Sequence, residues 1–111
     1  MGLDQYAQAV KGDDKISLGE WRKHPNLQGW MERLWRSKGG EGDFNCVSVE
    51  LTDADLQSLR FAIAHRVLPS TQGFFFGNDS DEHYKEQDLT FVEEALDLIE
   101  AGYKIEYSSW W

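Results

Sequence analysis

Trp21-Arg22-Lys23-His24-Pro25-Asn26-Leu27-Gln28-Gly29-Trp30-Met31-Glu32-Arg33-Leu34-Trp35 is the stretch on which the fold turns, because the period of its apolar residues changes within it. Up to Lys23 the spacing is that of a strand, with Ile16 and Leu18 on one face and Trp21 on the other. From Asn26, a good N-cap residue, the apolar positions Leu27, Trp30, Met31, Leu34 and Trp35 recur at helical spacing and share one face. Gly39-Gly40 stops that helix, with Arg36 and Lys38 near its negative C-terminus.

Working outward, Leu3 to Val10 reads as a first strand, joined to Ile16–Lys23 by a turn around Gly12-Asp13-Asp14. Phe44 to Leu51 reads as a mostly buried strand, with Cys46 pointing into the core and inert. Thr52-Asp53-Ala54-Asp55 resembles a capping box and opens a helix to about Arg66. The buried stripe of that helix is Leu56, Leu59, Ile63 and Val67, and Phe61 falls on roughly the opposite face. Gly73-Phe74-Phe75-Phe76-Gly77 reads as a short strand covered on both faces. A last helix covers about Tyr84 to Ala101 and stops at Gly102, its inner face built on Leu89, Val92, Leu96 and Ile99 and widened by Phe91, Ala95 and Leu98. Its outer side carries an acidic ridge of Glu86, Thr90, Glu93, Asp97 and Glu100. Tyr103 to Ser109 closes the sheet, and Trp110 and Trp111 are expected to leave it in opposite directions.

The order is β-β-α-β-α-β-α-β, which predicts an α+β (or α/β) domain with three helices packed on a mixed sheet of four to five strands. A chain of 111 residues fits one domain, 1–111, with one core. The start has neither a basic n-region nor an apolar h-region, and no apolar run approaches the roughly 20 residues that span a bilayer. Together with a lone cysteine these features predict a cytoplasmic protein without a membrane partner.

The net charge of −9 is unevenly placed. Residues 1–40 hold seven Lys/Arg against five Asp/Glu, a net of +2, and residues 41–111 hold four against fifteen, a net of −11. Nonspecific nucleic-acid binding is driven by counterion release from a basic surface, so the chain as a whole speaks against it. The acidic half suits a basic protein partner, and in one version of that reading the ridge Glu93, Asp97 and Glu100 imitates phosphate charge. Phe61, exposed on its helix, is a second candidate contact for a partner or for a homodimer.

No recognisable catalytic set is present. His24, His65 and His83 fall in no zinc motif, and Asp79, Asp81, Glu82 and His83 lack the spacing of a calcium loop, so no metal is expected. Lys38-Gly39-Gly40-Glu41-Gly42 lacks the Gly-Lys-Ser/Thr ending of a P-loop, and Ser108 and Ser109 lie in no nucleophile elbow; no cofactor is implied. The best candidate site is Arg22, Lys23 and His24 leading into a helix N-terminus at Asn26, where unpaired N–H groups favour an anion. Trp21, Trp110 and Trp111 are the tryptophans least committed to the core, whereas Trp30 and Trp35 belong to the buried helix face.

The chain resembles a family of short phage and bacterial proteins. The likeness lies in the Met1-Gly2-Leu3-Asp4 start with Tyr6, the Trp21–Leu27 segment with Gly29-Trp30-Met31-Glu32, Phe44-Asn45-Cys46-Val47, Gly73–Gly77 and the Ser109-Trp110-Trp111 end. Some members carry the label phosphoglycerate kinase. That enzyme binds its two substrates on two domains, and 111 residues are too few for both, so the resemblance implies no kinase activity. Two functions remain from the residues. One is a non-enzymatic binding or regulatory protein, for which the resemblance implies phage association. The other is a small enzyme or ligand-binding domain for a phosphate- or carboxylate-bearing metabolite. There Arg22 and Lys23 would hold the anion, Glu20 or His24 would move protons, and Trp111 would cover the site.

Overall fold

A computed structural model describes residues 3–65, 68 and 81–111, with the backbone alone at 81–83. The elements follow in the order β1 (Asp4–Lys11), β2 (Asp14–Arg22), α1 (Pro25–Ser37), β3 (Ser48–Leu51), α2 (Asp53–Ala64), α3 (Asp81–Glu100) and β4 (Lys104–Trp110). The fold is α+β. The strand expected at Gly73–Gly77 lies outside the described residues.

The four strands form one sheet in the order β2-β1-β4-β3. Every described pairing is antiparallel, so the mixed sheet expected from the element order is, over these strands, an antiparallel one. β1 and β2 are a hairpin whose two-residue turn places Gly12 at φ +60° in its first central position, a conformation that glycine adopts at no steric cost. β4 then returns beside β1 from the far end of the chain, pairing Asp4 with Trp110 and Val10 with Lys104.

The inward residues of the two central strands are Gln5, Ala7 and Ala9 on β1 and Ile105, Tyr107 and Ser109 on β4, all buried. The helices cover this face. Leu27 and Met31 of α1, Leu56, Leu59 and Ile63 of α2, and Phe91, Val92 and Ala95 of α3 complete the core with Trp21. The opposite face, carried by even-numbered residues on β1 and β4, has no layer over it among the described residues.

Local signals set the helix ends. Thr52 and Asp55 form the capping box reciprocally: the Asp55 N–H donates to Thr52 Oγ1 at 3.2 Å and the Thr52 N–H donates to Asp55 Oδ2 at 3.0 Å. Gly39 and Gly102 each take the left-handed conformation after a helix. Their following residues donate back to Trp35 O at 3.0 Å and Leu98 O at 3.0 Å, as a Schellman ending requires.

Four sequence expectations are corrected. The N-cap of α1 is His24 rather than Asn26, because Pro25, whose missing N–H costs nothing there, occupies the first turn and draws the helix start forward. β3 begins at Ser48, not Phe44, because the segment before it turns through Cys46 at φ +61°. Cys46 is exposed rather than inward, held by its N–H on Ser109 O at 2.8 Å. Trp21, not Trp30 or Trp35, is the buried tryptophan: it is 3 % exposed and meets Phe91 edge-on at 5.2 Å, while the other two are half-buried against the core.

Candidate functional site

Strand alternation sends Trp21 inward and Arg22 outward. At Lys23 the backbone turns through φ +58°, which ends the strand and swings His24 back into the interior. Gln5, the cross-strand partner of Trp21, then clasps both main-chain groups of His24. It accepts from the His24 N–H at 2.9 Å and donates to its carbonyl at 3.0 Å, so one side-chain amide continues the ladder that the kink interrupts.

His24 is wholly buried. Its Nε2 lies 2.7 Å from Oδ2 of Asp88 on α3, and the other Asp88 oxygen accepts from the Trp21 indole N–H at 2.8 Å. From Gln5 a second run of bonds crosses the core. Gln5 donates to the Tyr107 hydroxyl at 2.8 Å, Tyr107 donates to Gln28 Oε1 at 2.6 Å, and Gln28 donates to Ser109 Oγ at 2.9 Å. Burial, and secondarily the nearby Asp88 charge, raises the Tyr107 phenol above its usual range against the opposing bond from Gln5. No described buried side-chain polar atom lacks a partner. A network satisfied in this way rigidifies a core, since each member would be costly to leave unpaired at low dielectric.

The sequence-predicted anion site is divided: Glu20, Trp21 and Arg22 line one depression of about 480 Å³, and Lys23, His24 and Trp111 do not line it. Arg22 is on the outer sheet face, its side chain 81 % exposed and 3.4 Å from Asp4. Lys23 is exposed and tied by its N–H to Leu3 O at 2.8 Å. His24 and Asn26 are buried. Trp111 is half-buried. Its main chain exchanges two bonds with the Asn45 amide, at 2.9 and 3.0 Å, and its indole N–H donates to Phe44 O at 2.9 Å. Glu93, Asp97 and Glu100 form an exposed ridge on α3 as their spacing implied, with Arg60 of α2 bridging to Glu93 at 3.1 Å. Phe61 is 61 % exposed and packs on His65. The side chains of the acidic segment Asp79, Asp81, Glu82 and His83 lie outside the described residues, among which no group of three or more His, Cys, Asp or Glu is placed to hold a metal. No described helix is long and apolar enough to cross a membrane.

What the structure does assemble is a surface. Asp4 pairs with Arg22 on one side and Trp110 on the other, so these three stand in one cross-strand row on the outer face. In the next row Tyr6 pairs with Glu20 and Ser108, and Ser108 with Ser48. Tyr6 and Trp110 thus occupy diagonal positions on the two central strands, 41 % and 65 % exposed. Diagonal cross-strand neighbours stand about 7–8 Å apart, within reach for aromatic side chains. A shallow depression of about 420 Å³ lies beside them, lined by Tyr6, Gln8, Ser17, Ser48, Glu106 and Ser108. Apart from its place in the family resemblance, Tyr6 is marked in the sequence only by its even position in the first strand.

The chain matches no family model, no curated protein and no solved structure.

Proposed function

We propose that the protein is a non-catalytic binding module that engages a protein partner through the outer face of its sheet. The observation that supports this is the diagonal pair of exposed aromatics, Tyr6 and Trp110, on the two central strands of a face that no described element covers. Aromatic side chains bring large contact area at a low cost in conformational entropy and are the commonest anchors of protein interfaces. Around them Asp4, Glu20, Glu50 and Glu106 alternate with Lys15, Arg22 and Lys104, and serines and Gln8 offer hydrogen bonds. A surface of mixed sign with a carboxylate majority suits another protein better than the phosphates of a nucleic acid.

The geometry favours the anion-ligand alternative less. Glu20 and Arg22 share a depression, but Arg22 already meets Asp4 there, and Lys23, His24 and Trp111 do not line it. His24 and Asp88, the pair best suited to proton transfer, are closed off from solvent inside a structural network. Phage association rests on the sequence resemblance.

The test is site-specific photo-crosslinking in the native cell. A benzoyl-phenylalanine placed at position 6 should capture a discrete protein, the same group at position 61 on the far side should not, and Trp110→Ala should abolish the capture. Capture from position 61 alone, or capture from position 6 that survives loss of Trp110, overturns the reading.

A further inference from the structure

β2 is one edge of the sheet and runs nine residues, against four for β3 at the other edge. An edge strand presents unpaired N–H and C=O groups that can template another strand. The turn between β1 and β2 is a two-residue one, so Lys11 and Asp14 form the hydrogen-bonded closing pair and the main-chain groups of Lys15 and Ser17 face away from β1. The register shift opposite Ala7 and Gln8 adds a residue to β2 and resets the phase, so the next outward positions are Glu20 and Arg22.

Those last two positions are occupied. The Tyr84 hydroxyl of α3 donates to Arg22 O at 2.5 Å and accepts from the Arg22 N–H at 3.2 Å, which are the two bonds a neighbouring strand residue would make. Gln87 donates to Glu20 O at 2.6 Å. Tyr84 and Gln87 stand three apart on α3 and so share a helix face. The Tyr84 ring stacks on His24 at 4.7 Å, and one turn further along Asp88 holds both His24 and Trp21, so Tyr84 is fixed over the strand edge. The rest of the edge is short, carries Lys15 and ends at the bulge, features that discourage pairing by themselves.

We propose that Tyr84 and Gln87 guard the edge of β2, and that the strand they exclude is β2 of a second copy, added antiparallel about a two-fold axis. A copy of β2 fits because the strand carries Asp14 and Lys15 at one end and Glu20 and Arg22 at the other, for no net charge, so two antiparallel copies meet without single-sign repulsion. The guard concerns main-chain groups at the edge, whereas the binding surface proposed above is made of side chains on the sheet face beside it.

The test is sedimentation equilibrium of the full chain across micromolar to millimolar concentrations. Wild type should be a monomer. Tyr84→Phe/Gln87→Ala keeps the ring on His24 but frees the edge groups, and should shift toward dimer as concentration rises. Adding Ser17→Pro, which deletes an outward N–H of β2, should restore the monomer. A double variant that stays monomeric, self-association that survives Ser17→Pro, or a wild-type dimer that Ser17→Pro dissociates each overturns the proposal. If the double variant does not fold, Tyr84→Phe alone decides by amide exchange. The Arg22 N–H should exchange about fivefold faster, the effect of losing one ordinary hydrogen bond, and unchanged protection overturns the guard.

Discussion

Nε2 of His24 and Oδ2 of Asp88 lie 2.7 Å apart with both side chains sealed from solvent, and this contact ties α3 to the kink between β2 and α1. Asp88 also takes the Trp21 indole N–H, so one carboxylate orders three elements. Asp88→Ala removes that partner from both groups and should lower unfolding free energy by about 1–3 kcal/mol for each buried group left unpaired. Asp88→Asn keeps an oxygen for Trp21 and should cost less. Urea unfolding of the two variants beside wild type checks the order, and an equal loss from both would refute the role given to the indole bond.

Lys23 pays the cost of the left-handed turn that sends His24 inward, φ +58°. A side chain with a Cβ is disfavoured there by about 1–2 kcal/mol. Lys23→Gly should therefore raise the melting temperature or leave it unchanged, while Lys23→Val, β-branched at the same φ, should lower it. A stabilising Val would show that the turn is not the determinant.

Asp55 links the α2 cap to α1. Partial burial raises its pKa, but the bonds from Lys38 Nζ at 2.6 Å and from Thr52 outweigh that and hold it below the usual carboxylate range. Because the folded value is the lower one, the stabilisation is complete above the ordinary Asp pKa of about 3.9 and is lost as pH falls through the folded value. The stability difference between wild type and Asp55→Asn should thus be flat from neutral pH to about pH 4 and shrink below it. Thr52→Ala should cost about 1 kcal/mol at neutral pH. A difference that grows on acidification would contradict the assignment.

Gly40 lies against the Trp35 ring so closely that an added Cβ would sit 2.3 Å from it. Gly40→Ala should displace the indole and cost about 1–3 kcal/mol, the range for overpacking. The change should be visible as altered tryptophan fluorescence as well as a lower melting temperature.

Trp110→Ala and Tyr6→Ala change exposed residues and should move stability by no more than about 0.5 kcal/mol, yet both should weaken partner capture. Glu93→Gln/Asp97→Asn/Glu100→Gln, on the helical side, should leave capture unchanged. Loss of binding from the ridge variant with retention in the sheet variants would transfer the interface to α3.

Much of the architecture is legible along the chain because it depends on neighbours in sequence. The Thr52/Asp55 capping box, the helix stops at Gly39 and Gly102, the Leu56–Leu59–Ile63 stripe, the outward Phe61 and the acidic ridge of α3 are all readable from residue type and spacing. Alternation carried through Cys46 misplaces that side chain and the start of β3, because a left-handed residue leaves no trace in an apolar/polar pattern.

The core network leaves a fainter trace. Gln5 alternates with Leu3, Ala7 and Ala9, and Asp88 stands at helical spacing with Phe91, Val92 and Ala95, so each is a polar residue on an apolar stripe. Such a position marks a buried partner without naming it. The sequence groups His24 with Arg22 and Lys23 as one candidate site; one left-handed residue between strand and helix turns it inward instead.

The sequence by itself determined the element types, most of their ends and which side of each helix is apolar, since periodicity and caps act within a few residues. Tertiary structure alone decided that β4 pairs with β1, and with it that Tyr6 and Trp110, 104 positions apart by their numbering, stand side by side on one face. It likewise decided that His24 and Asp88 share a buried contact. The physical reason is the same in both cases: strand register and buried hydrogen bonds are satisfied by partners far along the chain, and no local pattern specifies which partner closes the contact.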